Sequence, residues 1–92
     1  MTQQKPQHGY RIQAEVTAIK GTCSWGHAVG QKMEISCHDT AGTCGMLFHE
    51  MFPTLSVLQF GGKYPWGEEG VAQVECPDRY NAVTLLLRRV SE

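Results

Sequence analysis

Alternating apolar and polar positions predict the first element of this chain. From Tyr10 onward every second residue is apolar, and polar residues lie between them. Successive side chains of a β-strand point to opposite faces, so this period predicts a half-buried strand ending near Lys20. The apolar positions are Ile12, Ala14, Val16 and Ala18. After a glycine-rich loop the same period returns in Met33, Ile35 and Cys37, which predicts a second strand.

A helical spacing follows the second strand. Apolar residues recur every three or four positions over residues 44–59, with Thr43 placed to cap the helix that this predicts. The stripe consists of Cys44, Phe48, Met51, Leu55 and Leu58. Pro53 removes a backbone hydrogen bond and crowds the preceding turn. We therefore expect a Pro-interrupted helix, either kinked or divided into two short helices.

Two more strands complete the predicted fold. Ala72, Val74 and Cys76 alternate with polar residues, and a last apolar strand covers residues 82–90. The order β-β-α-β-β predicts an α+β fold with a mostly antiparallel sheet, for which a barrel-like curvature is one option. Residues 1–9 offer little to bury and are interpreted as a flexible tail. Residues 10–92 then form a single α+β domain.

Composition narrows the classes of function. The chain has 92 residues, enough for one domain, and its 8 basic and 9 acidic residues give a net charge of −1. Without a basic face we expect no nucleic-acid partner, since phosphate neutralisation supplies most of the affinity in such complexes. The chain lacks a long apolar run and the apolar core of a signal peptide, so we expect no membrane contact and a cytoplasmic location. The expected partner is a protein or a small molecule.

The 4 cysteines differ in their surroundings. A reducing compartment favours free, metal-bound or redox-active thiols over disulfides. Cys37 is in phase with a strand and is interpreted as a small core residue. Cys44 opens the helix, where the helix dipole favours a thiolate, although its stripe position also fits core packing. Cys76 ends a strand before a Pro-Asp turn, which suits either a ligand on a rigid element or a core thiol.

Cys23 and His27 lie in a loop that core packing does not explain. A thiolate and an imidazole four residues apart can reach one metal ion. The alternative is a surface loop in which the two residues are neighbours by chance. The chain lacks the paired C-x2-C motifs of zinc ribbons, which keeps this alternative open. His49 would lie about 140° around the helix from Cys44, so we do not expect these two side chains to share an ion.

These positions predict one Cys/His metal site at an end of the sheet. Its candidate ligands are Cys23, His27, Cys44 and Cys76. Three thiolates and one imidazole suit tetrahedral zinc, with iron as the other candidate. The chain would then be a small metal- or thiol-dependent accessory or binding protein.

Two other functions compete with this interpretation. In the first, Cys76 or Cys23 acts as a nucleophile with a nearby histidine as base, which would make the chain a small enzyme. In the second, the loops around Trp25 and Trp66 form a protein-interaction surface. The second alternative predicts that Trp66 is exposed and that the fold survives metal removal.

Several blocks of the chain resemble an uncharacterised family of small bacterial and archaeal proteins, found largely in anaerobes. The blocks are Gly21-x-Cys23-x-x-Gly26-His27-x-x-Gly30, Gly42-x-Cys44, Gly61-Gly62-x-x-Pro65-Trp66 and Cys76-Pro77-Asp78. The resemblance spans about residues 10–89. It implies that Cys23, His27, Cys44 and Cys76 belong to the family signature and that Cys37 is peculiar to this chain. The family tends to have Gly-Asp after the histidine, whereas Gln31 follows Gly30 here, which argues against a carboxylate role at that position.

Overall fold

The computed structural model describes residues 8–90, which form one sheet and one helix. The elements are β1 (Ile12–Ile19), β2 (Lys32–Ile35), α1 (Gly45–Gln59), β3 (Val71–Glu75) and β4 (Val83–Arg89). The predicted α+β class and the order β-β-α-β-β are confirmed. No helix within these residues is long and apolar enough to cross a membrane.

The four strands form an open antiparallel sheet. Their order is β2-β1-β4-β3, and every neighbouring pair is antiparallel. The edge strands β2 and β3 do not pair with each other, so the barrel-like closure considered from the sequence does not occur. A register shift between Val16 and Ala18 interrupts the β1–β4 ladder. This irregularity leaves Ala18 exposed, although simple alternation placed it on the buried face.

The core lies between the inner face of the sheet and α1. Alternation along the two central strands explains which side chains reach it, and helical spacing explains the rest. The fully buried sheet residues are Ile12, Ala14, Val16, Ile35, Val83, Leu85 and Leu87, and the helix adds Leu47, Met51, Leu55 and Leu58. Burial of each large aliphatic side chain contributes about 1.5–3 kcal/mol relative to leaving it exposed.

The structure corrects three expectations about α1. Of the two forms expected at Pro53, a kinked helix or two short helices, the division into two is wrong, because α1 runs through that residue. Its N-cap is Cys44, because the Thr43 hydroxyl donates a hydrogen bond to the Thr40 carbonyl (2.8 Å) and does not cap the helix. Leu47 takes a buried position that the predicted stripe omitted, whereas Phe48 is only half-buried.

Arg89 joins the end of β4 to the C-terminal end of α1. Its Nε donates to the Leu58 carbonyl (2.8 Å), Nη2 donates to the Gly62 carbonyl, and the guanidinium lies 4.9 Å from the centre of the Tyr10 ring. The last carbonyls of a helix have no partner within the helix. Arg89 therefore supplies a donor to one of them.

Gln59, the last residue of α1, is fully buried and holds two other segments of the chain. Its Oε1 accepts a hydrogen bond from the Cys37 N–H (2.8 Å), and its Nε2 donates to the His8 carbonyl (2.8 Å). The Gln59 carbonyl also accepts from the Tyr10 N–H (2.7 Å). His8, predicted to belong to a flexible tail, is thus bound to the helix; residues 1–7 of that predicted tail lie outside the described residues.

Candidate functional site

Two of the predicted ligands, Cys23 and Cys76, follow strands that end at the same end of the sheet. β1 ends and β4 begins there, because Ile19 pairs with Val83 and the Lys20 N–H donates to the Ala82 carbonyl (2.8 Å). β3 ends beside them, with the Cys76 N–H bonded to the Val83 carbonyl (2.9 Å). We refer to this region as the site end of the sheet.

The loop over residues 20–31 carries Cys23 and His27, and two glycines shape it. Gly26 and Gly30 have φ angles of 100° and 93°, a left-handed region that favours glycine. The Gly26 N–H closes a turn on the Cys23 carbonyl (3.1 Å), and the Gly30 N–H returns the chain to the sheet at the Val16 carbonyl (2.8 Å). His27 therefore lies between two fixed turns.

The His27 imidazole is buried, with 7% of its surface exposed, and each of its nitrogens has a defined neighbour. Nδ1 lies 2.9 Å from Gln31 Oε1, an acceptor, so Nδ1 carries the proton. Nε2 then presents its lone pair to the Cys44 N–H at 3.5 Å, the upper limit for a hydrogen bond. His27 is thus an oriented imidazole whose Nε2 faces the N-terminus of α1.

A second contact fixes this loop to the segment before α1. The Trp25 Nε1–H donates to the Gly42 carbonyl (3.0 Å), two residues before Cys44. Ala41 and Gly42 both have positive φ, at 55° and 74°, which turns the chain into the helix. Two contacts, from Trp25 and His27, thus hold the loop against the start of α1.

All four cysteines are free and half-buried, and each contacts the hydrophobic core. Burial raises the pKa of the Cys37 thiol above its usual value. The backbone of Cys37 is bonded to Gln59, at the opposite end of α1 from Cys44. Its position agrees with its interpretation as a core thiol outside the site.

Of the predicted ligand set, the structure brings together His27 and Cys44, through the Cys44 backbone N–H that lies 3.5 Å from His27 Nε2. Between His8 and Val90 no three His, Cys, Asp or Glu residues are grouped so that they could hold a metal ion. Cys23 is four residues from His27 in the same loop, and Cys76 follows β3, but both thiols pack against the core. The complete set of four shares one end of the fold without forming a closed ligand shell.

The turn after Cys76 connects it to the Cys23 loop. The Asp78 carboxylate accepts hydrogen bonds from the Tyr80 N–H (3.0 Å) and from both the backbone and the side chain of Asn81 (3.2 and 3.3 Å). Asn81 Oδ1 in turn accepts from the Thr22 N–H (3.0 Å). Asp78 therefore orders the turn that follows Cys76.

These hydrogen bonds make the turn sensitive to acid. The Tyr80 N–H, followed by the Asn81 side chain and N–H, lowers the pKa of Asp78 below its usual value. A carboxyl whose pKa is depressed by folding stabilises the protein above its unfolded pKa, near 3.9, and loses that contribution as the pH falls through its folded pKa. Asp78→Ala should therefore lower the urea midpoint at pH 7, with a difference from wild type that shrinks towards pH 2. A difference that is constant from pH 7 to pH 2 would exclude this role.

Two of the other histidines, His8 and His38, lie at the opposite end of α1 from Cys44. The His8 and His38 rings are 5.1 Å apart between centroids, and Gln59 binds the His8 carbonyl at the C-terminal end of α1. His49 is exposed on α1.

Trp66 is exposed and stacks on Tyr64, with 5.1 Å between the ring centroids. Its exposure is what the interaction-surface alternative predicted. Exposure alone identifies no partner.

Sequence reasoning missed the role of Gln31. The residue was noted only as a departure from a Gly-Asp pattern, yet its amide oxygen is the partner of His27 Nδ1. The sequence offered one signal for this role, a polar residue four positions after a loop histidine.

Comparison with protein-family profiles, with curated proteins and with solved structures finds no match for this chain. The family resemblance therefore stays a prediction.

Proposed function

We propose that this protein is a small metal-binding accessory protein of the cytoplasm, with zinc as the preferred ion and iron as the alternative. His27 and Cys44 form the centre of the proposed site. Cys23 and Cys76 are the further ligands, and they bind when their thiols turn from the core towards the ion.

The orientation of His27 is the observation that carries this proposal. Histidines that bind metals usually donate their other ring N–H to a fixed acceptor, which sets the tautomer and aims the free lone pair. Gln31 is such an acceptor, at 2.9 Å from Nδ1. Within residues 8–90, the one hydrogen bond of Nε2 comes from the Cys44 N–H at 3.5 Å, so an ion displaces a weak contact.

The surrounding elements support the same site. Cys44 is the N-cap of a helix of 15 residues, and no side chain caps this terminus. The positive end of the helix dipole attracts negative charge, such as that of a metal-bound thiolate. Cys23 shares a loop with His27, and hydrogen bonds through Asn81 and Asp78 tie that loop to the turn after Cys76.

Elemental analysis of protein purified without chelator tests this proposal. We expect about one equivalent of zinc or iron in the wild type and loss of most of it in Cys44→Ser. Cys37→Ser is the matched control, since Cys37 lies at the other end of α1, and it should keep the metal. Folded, metal-free wild-type protein with four reactive thiols would refute the proposal, as would equal metal content in the two variants.

A reactive thiol is the second candidate, and the structure favours Cys44 for it over Cys76 or Cys23. Cys44 combines a helix N-terminus with a neighbouring imidazole that an amide orients, which is the arrangement of many thiol nucleophiles. Alkylation of metal-free protein by iodoacetamide separates the two functions. Rapid modification of Cys44 that is lost in His27→Ala supports the nucleophile. Slow, uniform modification of all four thiols excludes it.

A further inference from the structure

The solvent-facing side of α1 is unusually apolar. Met46, Phe52 and Phe60 are 61%, 42% and 56% exposed, and Phe60 is the C-cap of the helix. The helix contains only two ionisable side chains, His49 and Glu50. In a two-layer domain the outer side of a helix is normally its polar side. The outer face of the sheet, by contrast, carries exposed polar side chains: Gln13, Lys32, Glu34, Gln73 and Arg88.

These exposed residues form one continuous surface. The Phe48 and Phe52 rings meet edge to face, with 5.9 Å between their centroids. Around them lies an open hollow of about 360 Å³, lined by Gly45, Phe48, His49, Phe52 and Pro53. We call this hollow, together with Met46, Ser56 and Phe60, the α1 outer face.

We propose that the α1 outer face is a homodimer interface, in which it packs on the same face of a second copy of this chain. A two-fold interface must be complementary to itself, because each residue contacts the symmetry-related region of the partner copy. The proposal is independent of the metal site.

Residue size along α1 fits an antiparallel pair of helices. With the two-fold axis between Phe52 and Pro53, Phe60 of one copy lies opposite Gly45 of the other, and His49 lies opposite Ser56. A Cβ built at Gly45 meets no atom within 4 Å, so there is open space for the phenyl ring. Large residues thus face small ones along the contact, as helix packing requires.

The charge of this face favours a second copy, and its area indicates how tightly two copies can bind. A fully buried aromatic side chain removes about 150–250 Å² from water, so the exposed parts of Met46, Phe52 and Phe60 amount to roughly 300 Å². Two copies then bury roughly 600 Å² through these side chains, which is less than the ~1,000 Å² of a stable interface and corresponds to a weak dimer. Glu50 is the only carboxylate of α1, so two copies meet with little charge repulsion.

Sedimentation of the full chain from about 5 to 500 μM, with and without chelator, tests the proposal. We expect a monomer–dimer equilibrium whose dissociation constant rises at least tenfold in Phe52→Glu, which places two carboxylates at the axis. Gly45→Trp should have the same effect, since its side chain would occupy the space for Phe60, and its Cβ meets no atom of its own copy within 4 Å. Tyr80→Glu, an exposed aromatic in the turn after Cys76, is the control and should leave the equilibrium unchanged.

A monomeric wild type at 500 μM would overturn the proposal, as would a dimer that both Gly45→Trp and Phe52→Glu leave intact. Circular dichroism of each variant shows whether the fold is retained. If Phe52→Glu does not fold, Gly45→Trp decides alone.

Discussion

Gln59→Leu is expected to lower the free energy of unfolding by about 3 kcal/mol, although leucine fits the space and is more apolar. The Gln59 side chain is fully buried and makes two hydrogen bonds, one with the Cys37 N–H and one with the His8 carbonyl, each at 2.8 Å. Leaving a buried polar group without its partner costs about 1–3 kcal/mol, which outweighs the apolar gain. Urea denaturation at pH 7 measures the loss.

Gln59→Glu provides a graded comparison. Its carboxylate can still accept from the Cys37 N–H but cannot donate to the His8 carbonyl, so its stability at pH 7 should lie below that of the wild type. Gln73→Leu, on an exposed position of β3, is the matched control and should change stability by less than about 0.5 kcal/mol. If Gln59→Leu were as stable as this control, the hydrogen bonds of Gln59 with Cys37 and His8 would contribute nothing to the free energy of unfolding.

Local patterns predicted the elements of this fold well, and their failures have local causes. Period-two alternation identified the first three strands, because one face of the sheet is buried against α1 and the other faces water, and an apolar stretch identified the last strand. Ala18 escaped the pattern since a register shift follows Val16, and no residue type announces such a shift. Pro53 was expected to interrupt the helix. It is exposed, however, so the carbonyl that loses its helical donor can bond to water.

The candidate site was only partly accessible from the sequence. The glycines around His27 indicated a loop that core packing does not explain. The predicted strand ends placed Cys23 and Cys76 at one end of the sheet. The contact between His27 and Cys44 depends on how residues 20–31 fold back on the start of α1, a long-range arrangement that periodicity does not encode. For the same reason Gln59, a polar residue at a helix end, gave no sign of being buried.

Gln31→Leu is expected to weaken zinc binding by about 10- to 100-fold, the range found when the partner of a metal-binding histidine is removed. Without the Gln31 amide, His27 Nδ1–H loses its acceptor and the ring is no longer held with its lone pair towards Cys44. Competition with a chromophoric chelator measures the affinity.

Two further variants make this prediction specific. Gln31→Glu keeps an acceptor and adds charge, so zinc should bind at least as tightly as in the wild type. Gln13→Leu, on the exposed face of β1, controls for the loss of a surface amide and should leave the affinity unchanged. Equal affinities in Gln31→Leu and Gln13→Leu would show that His27 is not a ligand.

Cobalt substitution tests the His27–Cys44 site most directly, because a thiolate bound to Co²⁺ produces a charge-transfer absorption that an unbound thiol lacks. Titration of the reduced wild-type protein should give this band, saturating at one equivalent and disappearing when zinc is added. Cys37→Ser should give the same titration, whereas His27→Ala and Cys44→Ser should need a large excess of cobalt or give no band. A wild-type protein without the band, or a band that His27→Ala leaves unchanged, would contradict a metal site at His27 and Cys44.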